Sequence, residues 1–185
     1  MSAQVLEGLH DASRGGALPI VCDAASCTEG LLNMQRQARE NEPYRALRFV
    51  DSVDFVHRSV LPHLPVSGLL GSLALHPTCS STQLGTNPAL AEIAHAVSKE
   101  VFIPAEWGCC AFAGDRGLFH PELTDSATSG QAQEIRDGPF DAYASTNRTC
   151  ELGMTKATGH PYRHVLEILE EATAPADETV SRTTS

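Results

Sequence analysis

Short apolar runs alternate with stretches of helical period along this chain, and that alternation restricts it to strands laid side by side with helices packed over them. Leu18–Cys22 (LPIVC) is the first run; it ends at a turn-rich segment and is followed by a helix-like stretch from about Thr28 to Arg39. Leu70–Leu75 (LGSLAL) repeats the pattern. Beyond the Cys79 loop, Asn87-Pro88 starts a helix with proline in its first turn, and Leu90, Ile93, Ala94 and Val97 then recur on one face. Glu100–Ile103 predicts a third strand, stopped by Pro104, and Asp141–Ser145 a fourth. Pro161–Glu171 predicts a last helix with Tyr162, Val165, Leu166 and Leu169 in one stripe. The fold class expected is α/β, a mainly parallel sheet with flanking helices. One packed domain over residues 18–172 is expected. Residues 1–17, rich in Ser, Gly and Ala, read as a disordered stub, and residues 173–185, rich in Asp, Thr and Ser, as a disordered tail.

In such sheets functional groups collect beyond the carboxyl ends of the strands. Cys27, Cys79, Cys109, Cys110 and Cys150 each follow a predicted strand closely, whereas Cys22 lies at the end of the first strand and reads as a buried strand residue. An internal echo links two of these segments. Asp23–Leu31 and Ser145–Met154 both place a hydroxyl residue, then Cys, then Glu, then an apolar residue, which suggests a pseudo-two-fold repeat of small βα halves. Ser26 and Glu29 have the spacing of a capping box, which would put Cys27 in a first helical turn.

Six cysteines in a chain with no export signal point to a reducing, cytoplasmic setting, where thiols bind metal or do redox chemistry more often than they form scaffolding disulfides. The net charge of −10 disfavours nucleic acid, and no apolar run is long enough for direct membrane insertion. The segment Gly108-Cys109-Cys110-Ala111-Phe112-Ala113-Gly114 carries the sharpest chemical signal. Adjacent cysteines bridge each other only under strain, yet they suit a metal whose neighbouring positions are filled from one tight turn. His76, at a strand end before Cys79, is a candidate ligand or a hydrogen-bonding partner to one. Trp107 is placed to shield such a centre or simply to pack; Asp115 and Arg116 could pair or form a plain turn. His160 and Arg163 read as structural.

With His76-Pro77-Thr78-Cys79 and Asn147-Arg148-Thr149-Cys150-Glu151-Leu152-Gly153, the Cys109-Cys110 segment resembles the cysteine-rich CCG-type domain of heterodisulfide reductase and glycolate oxidase iron–sulfur subunits. The wording of CCAFAGDRGLF, of the segment around Cys150 and of TGHPYRHVLEILEEA is most similar to fused FAD/iron–sulfur D-lactate and D-2-hydroxyglutarate dehydrogenases. That resemblance implies that Cys27, Cys79, Cys109, Cys110 and Cys150 serve an iron–sulfur centre that relays electrons. The family usually ends in CxxC where this chain has Cys150 followed by Glu151, Leu152 and Gly153, so an iron–sulfur cluster and a mononuclear metal are both compatible with the set. FAD and the oxidation of a D-2-hydroxy acid would belong to a flavin/ferredoxin portion missing upstream, as the same enzyme or a separate subunit; this chain, as a fragment, would be inactive alone. The alternative is a zinc-binding structural or interaction module using Cys27, Cys79, Cys109 and Cys150. A thiol enzyme acting on disulfides through Cys109 or Cys110 is a third reading, without a CxxC to support it.

Overall fold

The computed structural model describes residues 2–38, 42–136 and 138–174. Among them the chain runs Ser2–Ala12 (α1), Ile20–Cys22 (β1), Ala25–Gln37 (α2), Phe49–Asp51 (β2), Ser52–Ser59 (α3), Leu70–Leu75 (β3), Cys79–Leu84 (α4) and Asn87–Val97 (α5). It continues through Ser98–Phe102 (β4), Arg116–Phe119 (α6), Pro121–Arg136 (α7), Ala142–Ser145 (β5), Arg148–Thr158 (α8), Tyr162–His164 (β6) and Val165–Thr173 (α9). The class is α/β, as expected, with every strand pairing parallel. The strands form two sheets, however: β1 pairs with β2 alone, and the other four lie in the order β4-β3-β5-β6. No helix among the described residues is long and apolar enough to cross a membrane.

The four-stranded sheet is covered on both faces because its central strands are apolar on both. Leu73, Leu75, Ala142 and Ala144 face one layer, where Leu90, Ile93, Ala94 and Val97 of α5 join Val165, Ile168 and Leu169 of α9. Ala74 and Tyr143, pointing the other way as period two demands, pack with Ile135 of α7, Met154 of α8 and Tyr162. His160 stacks on the Tyr143 ring at 4.4 Å, and Arg163 pairs with Glu171 at 2.8 Å, so both are structural.

Several expectations are corrected. The segment 1–17 contains helix α1, whose Leu6 is fully buried. The expected tail lies outside the described residues from residue 175 onward, as does the expected helix end at Arg39. The last helix starts later than its stripe suggested: Tyr162–His164 pair with β5 as a strand, which turns Tyr162 into the opposite layer from Val165 and Leu169. Ser26 does not cap α2; the N-cap is Ala24, and the capping box forms instead at α4, between Thr78 and Ser81. Helix α8 ends on Gly159 in a left-handed conformation at φ 79°. Gly159→Ala meets no steric neighbour but strains that backbone, and should lower stability by about 1 kcal/mol in chemical denaturation.

The repeat suggested by the cysteine echo is a repeat of structure. β1-α2-β2-α3 and β5-α8-β6-α9 have the same order, and in each the end of the first strand is in register with the N-cap of the last helix, Cys22 with Asp51 and Ser145 with His164. Cys27 and Cys150 occupy the same third position of their helices.

Candidate metal centre

Strand order assembles the site. Because β3 lies between β4 and β5, its carboxyl end, carrying His76 and the first turn of α4, sits between the loop after β4 and the first turn of α8. Those three segments hold His76 and Cys79, Cys109 and Cys110, and Cys150 respectively. Asn147 binds the turns together: its Oδ1 accepts from the Ser26 backbone N–H at 3.3 Å and its Nδ2 donates to Ser80 Oγ at 2.9 Å, tying α2 and α4 to the start of α8.

The loop after β4 turns its two cysteines in opposite senses. Ala111 and Ala113 adopt positive φ of 54° and 47°, conformations that cost an alanine about 1–2 kcal/mol, and the Gly117 N–H donates back to the Phe112 carbonyl. Phe112 is buried beneath, against Cys110 and Cys150. Gly117 and Gly153 admit its ring, for a Cβ at Gly117 would stand 2.6 Å from it and one at Gly153 3.4 Å. Cys109 is thereby exposed, with its sulfur 4.0 Å from that of exposed Cys79, while Cys110 is buried with its sulfur 2.9 Å from that of buried Cys150.

His76, Cys110 and Cys150 can each offer a donor atom within 4.8 Å of the others, close enough to hold one metal ion. All three are buried. The imidazole is oriented as a ligand: its Nδ1 meets Gln131 Oε1 at 2.9 Å, which places the ring proton on Nδ1 and leaves Nε2 as a buried lone pair with no partner in the protein. A buried nitrogen acceptor beside two buried sulfurs is the donor chemistry of zinc, copper or iron rather than of calcium or magnesium. The thiols are prepared unequally. Cys110 is brought down to about 5, chiefly by the proton that Cys150 shares with it and further by the Phe112 N–H, against the opposing effect of burial. Cys150 is held well above the ordinary thiol range because Cys110 carries the charge and because it is buried. At neutral pH the pair thus carries one negative charge and one proton. Burial, and then the neighbouring Cys109, raise Cys79.

Four of the five expected cysteines therefore converge, as two sulfur pairs, one outer and one inner. Cys27 is exposed in the first turn of α2, which packs against α4, and among the described residues no hydrogen bond joins its sulfur to another. Cys22 is a buried strand residue beside Thr28 and Asp51, as expected. Trp107 is half-buried, and Asp115 and Arg116 lie exposed in the turn that opens α6, with no ion pair between them among the described residues. The parts played by Gln131 and Asn147 are not evident from the sequence. Gln131 is fully buried in α7, a helix whose inward face is built largely of Thr124, Thr128 and Gln131 and so carries no apolar stripe. Replacing Gln131 by Leu should weaken metal binding by about 10–100-fold in a chelator competition, since the ring loses the acceptor that fixes its tautomer. Neither a model of a known protein family nor a curated protein matches this chain.

Proposed function

We propose that this chain is a metal-centre module for electron transfer, the cysteine-rich part of an FAD/iron–sulfur D-2-hydroxy-acid dehydrogenase of the D-lactate type. Cys110, Cys150 and His76 are its inner ligands, and Cys79 and Cys109 complete the centre on its exposed side. The observation that carries this reading is the convergence of two sulfur pairs, one buried and one facing solvent, from three strand ends. An iron–sulfur centre bound there would accept and pass on single electrons. The buried pair and Phe112 keep water from the inner side, and the exposed pair offers the short approach that an electron partner needs. Flavin and the hydroxy acid belong to that partner, and the proposed setting is the reducing cytoplasm.

A second reading has its own support: His76, Cys110 and Cys150, with one thiol of the outer pair, would make the four-ligand donor set of structural zinc. Iron, sulfide and zinc quantification on protein prepared without oxygen separates the two. Iron with acid-labile sulfide and a visible absorbance bleached by dithionite is the expected result; zinc alone would replace the redox reading with the structural one, and a metal-free protein that takes up neither would end both. Filling the inner pair also expels the proton that Cys150 keeps. Metal affinity should therefore rise about tenfold per pH unit above the titration of Cys110 near 5 for the inner pair alone, and more steeply where the outer thiols also give up protons, measured by competition at several pH values.

A further inference from the structure

The outer cysteine pair has a chemistry that ligation does not use. Cys79 and Cys109 lie 30 residues apart in the chain, both are exposed, and their sulfurs stand 4.0 Å from each other. A disulfide bond is about 2.0 Å long, so joining them needs an approach of about 2 Å. The two sides are built unequally for that movement. Cys79 opens α4, whose start is fixed by the capping box: the Ser81 N–H donates to Thr78 Oγ1 at 3.0 Å and the Thr78 N–H to Ser81 Oγ at 2.9 Å. Cys109 lies in the loop after β4, where no atom stands within 4 Å of the place that a Cβ on Gly108 would take. The approach therefore falls to the loop.

The competing pairings are disfavoured. Cys110 and Cys150 are nearer, at 2.9 Å, but they are 3 % and 4 % exposed and packed with Phe112. Thiol–disulfide exchange needs an incoming sulfur to reach the attacking one, and burial denies it. Cys109 and Cys110 are neighbours in sequence, one exposed and one buried, and bridge each other only under strain.

We propose that Cys79 and Cys109 form a reversible disulfide by exchange with a low-molecular-weight disulfide such as oxidised glutathione, and that closing it withdraws the outer ligands from the metal centre. The second half rests on the metal reading; the first does not. Cys109 attacks one sulfur of the small disulfide, forming a mixed disulfide and releasing one thiol. Cys79 then attacks the Cys109 sulfur, forming the bond within the chain and releasing the second thiol. Two electrons and two protons pass from the cysteine pair to the small disulfide, which departs as two thiols. Excess thiol reverses both steps, so the outer ligands are available in reducing solution and withdrawn in oxidising solution.

Peptide mapping of the full chain tests this. The chain is stripped of metal with a chelator, reduced, and incubated without oxygen with oxidised glutathione; remaining thiols are alkylated and linked peptides identified by mass spectrometry. A Cys79–Cys109 link that disappears with dithiothreitol is expected, and Cys79→Ser should stop the reaction at a mixed disulfide on Cys109. Zinc affinity, read by competition with a chromophoric chelator, should fall at least about a hundredfold in the oxidised chain and return on reduction. No link, a glutathione adduct that persists on Cys109 with Cys79 present, or Cys110–Cys150 or Cys27–Cys79 linked instead would overturn the disulfide. Equal zinc affinity in the oxidised and reduced chains would overturn its hold on the metal. Should the reduced chain bind no metal at all, the metal reading fails and that hold with it, while the peptide map still decides the disulfide.

Discussion

Changing Cys110 to Ser lowers metal affinity by more than about a hundredfold. Structural zinc in four-ligand sites contributes about 10–16 kcal/mol of binding, roughly 3 kcal/mol per ligand, and 1.4 kcal/mol is a factor of ten. Cys110 is the ligand with the most to lose, because it is the thiol already brought down to about 5 and the one that bridges Cys150 and His76. A serine hydroxyl at that position neither ionises nor offers a soft donor, and the Cys150 proton then has no thiolate to share. His76→Ala should act similarly, whereas Cys27→Ser should change affinity by no more than about twofold, since Cys27 is exposed and hydrogen-bonded to no other thiol. Competition with a chromophoric chelator on the three variants reads this directly. Equal losses for Cys27 and Cys110 would mean that the ligand set extends across both sheets, and an unaffected Cys110 variant would remove the inner site altogether.

Leu90→Ala is expected to cost about 2–5 kcal/mol, the largest effect on stability among these changes. Leu90 is fully buried on α5, in the layer shared by Leu73, Leu75, Val165 and Ile168. Neighbours drawn from the sheet and from two helices cannot all close on a void, so the lost transfer energy adds to that of a residual cavity. Urea denaturation of metal-free protein gives the number, and Leu123→Ala, at a position 39 % exposed, is the control expected to stay within about 0.5 kcal/mol. A loss below about 1 kcal/mol at Leu90 would show that the α5 layer is loosely packed, and the positioning of β3, and with it His76, would need another explanation.

How legible the site was depended on what each residue's neighbours in the chain had to say. The paired Cys109-Cys110 between glycines, and Cys79 and Cys150 behind strand ends, announced themselves by chemistry and by position. Cys27 carried the same local signal as Cys150, the same hydroxyl before it and the same place in a first helical turn, yet only Cys150 meets another ligand. Gln131 gave no signal at all, because a helix that packs on polar ligands needs Thr and Gln on its inward face and so loses the apolar stripe by which a buried helix is recognised. Ser26-Glu29 matched a capping box, but Asn147 from the repeat partner had already taken the Ser26 N–H.

By itself the sequence determined the α/β class, the apolar faces of β3, α5 and α9, and the presence of thiols just past the strand ends, since these follow from local periodicity and from residue types. The tertiary structure alone decided which thiols meet. Placing β3 between β4 and β5 sets His76 beside the Cys109-Cys110 loop and Cys150, while Cys27, in the first turn of α2, stays exposed with no hydrogen bond to another thiol. Strand order is set by how layers bury their apolar faces against one another, a property of the whole packed chain that no local stretch contains.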